Sequence, residues 1–304
     1  MPEAQPPAGR GRDPKPFRAP GGKRPDRGGH GAPRRERDEA DDGRSLGAPT
    51  GPRVPVGLER ARSKAGAPPR PGRDAAAPPR PDLPQDEEPH LPKHIRRDID
   101  RVIGKNRRGA DIALALSIGA AAIDEDRVDV ALPMLAWAKH EAPRIAAVRE
   151  AFGVALYLDE QFAAALSELQ AYKRLTGRVD QNHLIADSLR ALGRAVDRVV
   201  DSAAELVNAD DAPEDRRAEA AIVWASALAD AGDVGAGRAV LRNYVARAGD
   251  GDPDGEHLLR VHYVAAELAV RDGDAEAARE QFARILAVDP DYLDVEERVT
   301  ALPG

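Results

Sequence analysis

One pattern occurs twice at a fixed offset, and it restricts the fold more than any other feature of the chain. Gly119 recurs as Gly153, Ala131 as Ala165 and Leu135 as Leu169, each 34 positions later. A fixed period of this size marks stacked supersecondary units, each burying its apolar face against the next. Apolar residues around these positions recur at helical spacing, so the repeated unit reads as two helices joined by a short turn. Small residues belong where antiparallel helices cross closely, and large apolar ones fill the grooves beside the crossing.

The spacing divides residues 92–304 into a capping helix over 92–109 and five helix–turn–helix units at 112–145, 146–179, 180–213, 218–251 and 259–292. In the capping segment Ile95, Ile99, Val102 and Ile103 form one stripe, suited to cover the first exposed face of a stack. The first unit has a helix over Asp111–Ile123, a polar turn and a second helix to Glu141, stopped by Pro143. The second keeps the pattern with Phe152, Leu156, Phe162 and Tyr172, and the third is degenerate, with Val199 or Arg198 where a small residue is expected. Trp224, Gly232, Gly237 and Tyr244 mark the fourth; Ala266, Gly273, Ala278, Phe282 and Pro290 mark the fifth. Tyr292–Leu302 is expected to cover the far end.

Small residues at the eighth and twentieth positions, with large apolar ones at the seventh, eleventh and twenty-fourth, give a unit that resembles the tetratricopeptide repeat (TPR) family. Ala275–Tyr292 matches the family pattern most fully. The layout as a whole resembles that of actinobacterial TPR proteins with an Arg/Pro-rich N-terminal tail. This resemblance covers about two thirds of the chain. It implies an all-α, TPR-like α-solenoid, a right-handed superhelix that binds proteins or peptides on its concave surface.

The same resemblance implies ligand-facing side chains on the first helix of each unit. These are Glu150 and Tyr157, then Gln181, Asp187 and Arg190, then Glu219 and Ser226, then Arg260, Tyr263 and Glu267. Ala113, Leu116, Ala120 and Ile123 would form an apolar end to the groove. The paired Lys/Asn/Arg clamp of family members that grip a chaperone's acidic C-terminus is absent. The mixture of charges suits a peptide of mixed charge; the alternative is that these residues only solvate a helix face.

Residues 1–92 differ in kind. They hold 20 of the 26 prolines and 13 of the 27 glycines, and Phe17 is their one aromatic. Such a segment cannot bury enough apolar surface to offset chain entropy, so residues 1–91 are expected to be a disordered tail. Ala-Pro-Pro-Arg-Pro occurs at both 67–71 and 77–81, which favours short polyproline II stretches. Two readings of the tail stay open: an arm touching RNA through arginines spaced by glycine, or a solvated segment in a chain with 38 Arg to 7 Lys. The remaining residues carry 27 basic against 38 acidic side chains, a poor surface for nucleic acid on its own.

The chain has no cysteine, which rules out disulfides, thiolate metal sites and cysteine nucleophiles. Met1–Arg12 lacks the apolar stretch of a signal peptide, and the longest mostly apolar run, Ile112–Ile123, is 12 residues, too short to span a bilayer. A cytoplasmic protein is expected. Asp250–Gly255 imitates the opening of a calcium-binding loop, but Val261 stands where a bidentate glutamate is needed. His90, His94 and Asp98 share a spacing of four, which fits a metal site or simply a polar helix face. No nucleophile–base spacing and no phosphate loop occur. The expectation is a non-catalytic scaffold without cofactor or metal, or alternatively an RNA- or ribosome-associated factor acting through its tail.

Overall fold

The computed structural model describes residues 77–248 and 255–303. The nucleic-acid expectation for the tail and the acidic loop after Gly249 thus fall largely outside the described residues. Twelve helices, and no strand, occur among those described: α1 (Lys93–Val102), α2 (Arg107–Asp124), α3 (Val128–Glu141), α4 (Ala146–Leu158), α5 (Phe162–Thr176), α6 (Asn182–Ala191), α7 (Val196–Val207), α8 (Glu214–Asp230), α9 (Val234–Ala248), α10 (Glu256–Arg271), α11 (Ala275–Val288) and α12 (Val295–Ala301). They form an all-α solenoid of five hairpins, α2–α3 through α10–α11, with α1 and α12 outside them.

All five hairpins turn in the same way. The first helix ends in a left-handed residue: Asp126 (φ 60°), Glu160 (φ 59°), Gly193 (φ 62°), Gly232 (φ 97°) and Gly273 (φ 80°). The amide of the following residue reaches back five positions, as in Arg127 to Ala122 O (2.7 Å), Arg194 to Leu189 O (2.9 Å) and Asp274 to Ala269 O (2.9 Å). The left-handed residue itself bonds three positions back, as in Glu160 to Tyr157 O (3.0 Å). These paired bonds are the Schellman arrangement, which satisfies carbonyls left over at a helix end.

The segment expected as one capping helix over 92–109 is divided between two. Gly104, at φ 102°, breaks the chain after α1. Asn106 then caps α2, its side chain accepting from the Gly109 amide at 3.0 Å, so the first hairpin starts four residues before the expected Asp111.

Each first helix touches the next one, α2 with α4, α4 with α6, α6 with α8 and α8 with α10. Second helices touch the first helix of the following hairpin instead. A stack whose first helices adjoin while its second helices are spread apart must curve with the first helices inside. Those inner helices are therefore the ones that adjoin along the array.

The buried apolar residues fall into two clusters that meet in α10. Leu258, Val261, Val264 and Leu268 join the main core running from α1 to α9. Leu259, Tyr263, Ala266 and Ala269 pack with Phe282, Ile285, Tyr292 and Val295.

The tail is not solvated throughout. Residues 77–92 run without helix or strand along the first hairpin. Leu83 is buried at 5% exposure and belongs to the main core. Arg80 pairs with Asp111 of α2 at 2.9 Å and lies 6.0 Å from the ring centre of Trp137 in α3. The expectation of disorder up to residue 91 is corrected here, because one aliphatic side chain among the prolines finds apolar surface to cover. No described helix is long and apolar enough to cross a membrane.

Candidate functional site

The residues expected to face a ligand come from four neighbouring inner helices, and most of them are joined. Tyr157 of α4 donates its hydroxyl to Asp187 of α6 at 2.6 Å. Asp187 accepts from Arg190, one helical turn on, at 3.0 Å. Arg190 also reaches Asp230 at the end of α8, at 2.9 Å. Arg271 of α10 lies 3.5 Å from the same carboxylate. A single ladder of alternating acid and base therefore links four hairpins.

A second rung lies beside it. Gln181, just before α6, donates to Glu150 of α4 at 2.7 Å. Next to Gln181, Asp180 accepts from Tyr172 (3.1 Å), Arg178 (2.8 Å) and Arg216 of α8 (3.3 Å). Farther along, Arg260 of α10 pairs with Glu219 of α8 at 2.9 Å. Ser226 is buried, and its hydroxyl makes no hydrogen bond among the described residues.

Tyr263 and Glu267 stand apart from this group. Tyr263 donates to Asp294 at 2.7 Å, and Arg298 of α12 pairs with Glu267 at 2.8 Å. The two ends thus share one design, a tyrosine hydroxyl donating a hydrogen bond to an aspartate that an arginine one turn on also holds: Arg190 for Asp187, and Arg298 for Asp294 at 3.2 Å.

Burial changes what these side chains can be. Glu150 is 3% exposed, Gln181 1% and Asp187 2%; each is already bonded within the chain rather than displayed on an open helix face. Ala113, Leu116 and Ile123 are core residues rather than the apolar end of a groove, because α2 is covered on those sides.

Burial also shifts their protonation. It pushes the Glu150 carboxyl up to about 7, against the Gln181 hydrogen bond that favours the ionised form. Glu219 is raised to about 7, again by burial first, with Arg260 opposing. His183, in the first turn of α6, is lowered to about 3 by burial and then by the Arg216 charge. These are the directions expected when charge is taken out of water without full compensation.

Asp180, Arg216, Tyr172 and Asp230 were not apparent from the sequence. The tyrosine–aspartate interval, 157 to 187 and 263 to 294, is close to the repeat length, but it marks only the two tyrosine–aspartate bonds and none of these four residues. The trio His90, His94 and Asp98 does not converge: the His90 main chain binds Ser117, and Asp98 pairs with Arg101 at 2.7 Å. Among the described residues no group of three or more His, Asp or Glu is arranged to hold a metal ion. Elsewhere on the array, Arg149 pairs with Glu168 and Lys173 with Glu205.

No family model matches the chain, and no curated protein does. Among solved structures it is similar to YrrB, described as a TPR protein with an unusual peptide-binding site. The match has 15% identity and a TM-score of 0.45, and covers 66% of this chain and 97% of that one.

Proposed function

We propose that this chain is a non-catalytic interaction scaffold, and that its inner helices α4, α6, α8 and α10 receive an extended peptide or protein segment of mixed charge. The observation that carries this reading is the ladder Tyr157–Asp187–Arg190–Asp230–Arg271. It places donors and acceptors in alternation across four hairpins. A peptide backbone with acidic and basic side chains offers the same alternation, so it can exchange partners with the ladder at Asp230 and Arg271, its half-exposed members, while the buried Tyr157–Asp187 bond holds Arg190 in place. Exchange of this kind costs little, whereas stripping a buried group of its partner is expensive. A ligand of one sign would leave half of the ladder unpaired.

The test is a peptide-library screen on the immobilised full chain. Support is a peptide whose binding falls at least tenfold with Arg190→Ala and with Tyr157→Phe while helix content stays unchanged. A library in which no bound peptide depends on Arg190, Tyr157 or Glu150 overturns the reading.

A further inference from the structure

The segment 77–92 is held by a few separated anchors. Arg80 extends its guanidinium over Trp137, 6.0 Å from the ring centre, and pairs with Asp111 at 2.9 Å. Three residues on, Leu83 is buried at 5% exposure, while Asp82, Pro84 and the four residues after it are exposed. At the far end Ser117 takes the main chain of His90, accepting from its amide at 2.8 Å and donating to its carbonyl at 3.4 Å. Beyond these, Pro78, Pro81, Pro89 and Leu91 are half-buried. The segment meets α2 and α3 as a bound peptide meets a receptor. A cation sits on an aromatic face beside a carboxylate, an aliphatic side chain fills an apolar site, and a main-chain contact is indifferent to side-chain identity.

We propose that this surface of α2 and α3 is a docking site for extended, proline-rich segments carrying arginine three residues before an aliphatic residue. Residues 77–92 are its resident occupant, and a segment of the same chemistry on another protein takes the place once they lift away. The occupant has the features such a site selects. Prolines hold it extended before it docks, which lowers the entropy lost on binding. Its attachment rests on one buried aliphatic, one ion pair that is half open to water and one main-chain contact, so it is reversible.

The chain contains its own control. Ala-Pro-Pro-Arg-Pro occurs a second time at 67–71, but the position matching Leu83 is Arg73. A site that reads arginine and leucine together accepts the second copy and rejects the first. Tethering gives the resident segment a high effective concentration, so it suppresses competitors without being a tight binder.

The experiment uses the full chain and a fluorescent synthetic peptide of residues 77–92. Leu83→Asp in the protein undocks the resident segment and leaves the receiving surface intact. This variant is expected to bind the peptide at least tenfold more tightly than the unmodified chain. That gain is expected to vanish when Asp111→Lys is added, when the peptide carries Leu83→Asp, or when the peptide spans 67–76 instead. Should Leu83→Asp reduce helix content, Arg80→Glu replaces it, since it undocks the segment through surface charge alone. Equal binding to the undocked and unmodified chains overturns the proposal, as does equal binding of the peptide with and without Leu83.

Discussion

Leu135 Cγ lies 2.6 Å from where a β-carbon on Gly119 would stand, and Leu169 approaches Gly153 in the same way at 2.8 Å. Real β-carbons are not found this close to another carbon, so each glycine is the condition for its leucine's position. Both leucines are fully buried and have no room to retreat. Gly153→Leu should therefore overpack the α4–α5 crossing and destabilise the chain by roughly 1–3 kcal/mol or more. Adding Leu169→Ala should return part of that loss, and urea denaturation of both variants measures it. A Gly153→Leu chain as stable as the parent would mean the crossing is not tight.

The turn after α4 places Glu160 in the left-handed region at φ 59°, where the last three hairpins have glycine. A side chain there costs roughly 1 kcal/mol, more than the unfolded-state entropy that glycine adds. Glu160→Gly is expected to raise stability by about 0.5 kcal/mol, read as an upward shift in the denaturation midpoint with unchanged slope. A lower midpoint would show that the side chain's own contacts outweigh the backbone strain.

Tyr157→Phe removes the donor from a 2.6 Å bond to a buried carboxylate without changing the packed ring. Hydrogen bonds to charged groups contribute about 1.5–3 kcal/mol, so a loss in that range is expected. Because Arg190 holds the same carboxylate, Tyr157→Phe and Arg190→Ala should be non-additive. Strict additivity in a double-mutant cycle would mean the ladder is a row of independent pairs.

Glu150 gives a pH dependence of definite sign. In the unfolded chain its carboxyl ionises near 4.5, and in the folded chain only near 7. Below pH 4.5 both states are protonated and nothing is lost. As pH rises toward 7 the unfolded state ionises first, so stability falls, by an amount on the order of 3 kcal/mol once complete. His183, lowered to about 3, works in the opposite sense: its contribution is full above pH 6.5 and declines as pH falls below it. Glu150→Gln removes the first effect and leaves the second. It should stabilise the chain at pH 8 and change little at pH 4.5, measured by urea denaturation at each pH. An identical gain at both pH values would exclude the buried carboxyl as its source.

The array of helical hairpins was legible in the sequence because tight crossings leave a mark on residue size. Gly119, Gly153, Ala131 and Ala165 are small for a local reason, and that reason recurs at the repeat length. The third hairpin was harder to see: its turn at Gly193 follows Glu160 by 33 residues, not 34, and Val199 fills a position that is small in its neighbours. The identities of Tyr157, Asp187 and Arg190 were also legible. Their burial was not, since helical periodicity says which residues share a face but not what covers it. Asp230 and Arg271 sit at the ends of α8 and α10, where polar residues look like ordinary turn solvation. Leu83 carries no such mark, because an isolated aliphatic among prolines has no periodicity; its place is fixed by long-range packing into the main core.

α10 holds together two cores, presenting Leu258, Val261, Val264 and Leu268 to one and Leu259, Tyr263, Ala266 and Ala269 to the other. An array assembled from nearest-neighbour contacts can open where one core gives way to another, and here that division runs lengthwise through a single helix. If α11 and α12 peel away, α10 keeps one flank anchored and bares the other as a fresh apolar edge. The C-terminal end can then fray or regrow like the last course of a wall, with the courses below it left standing.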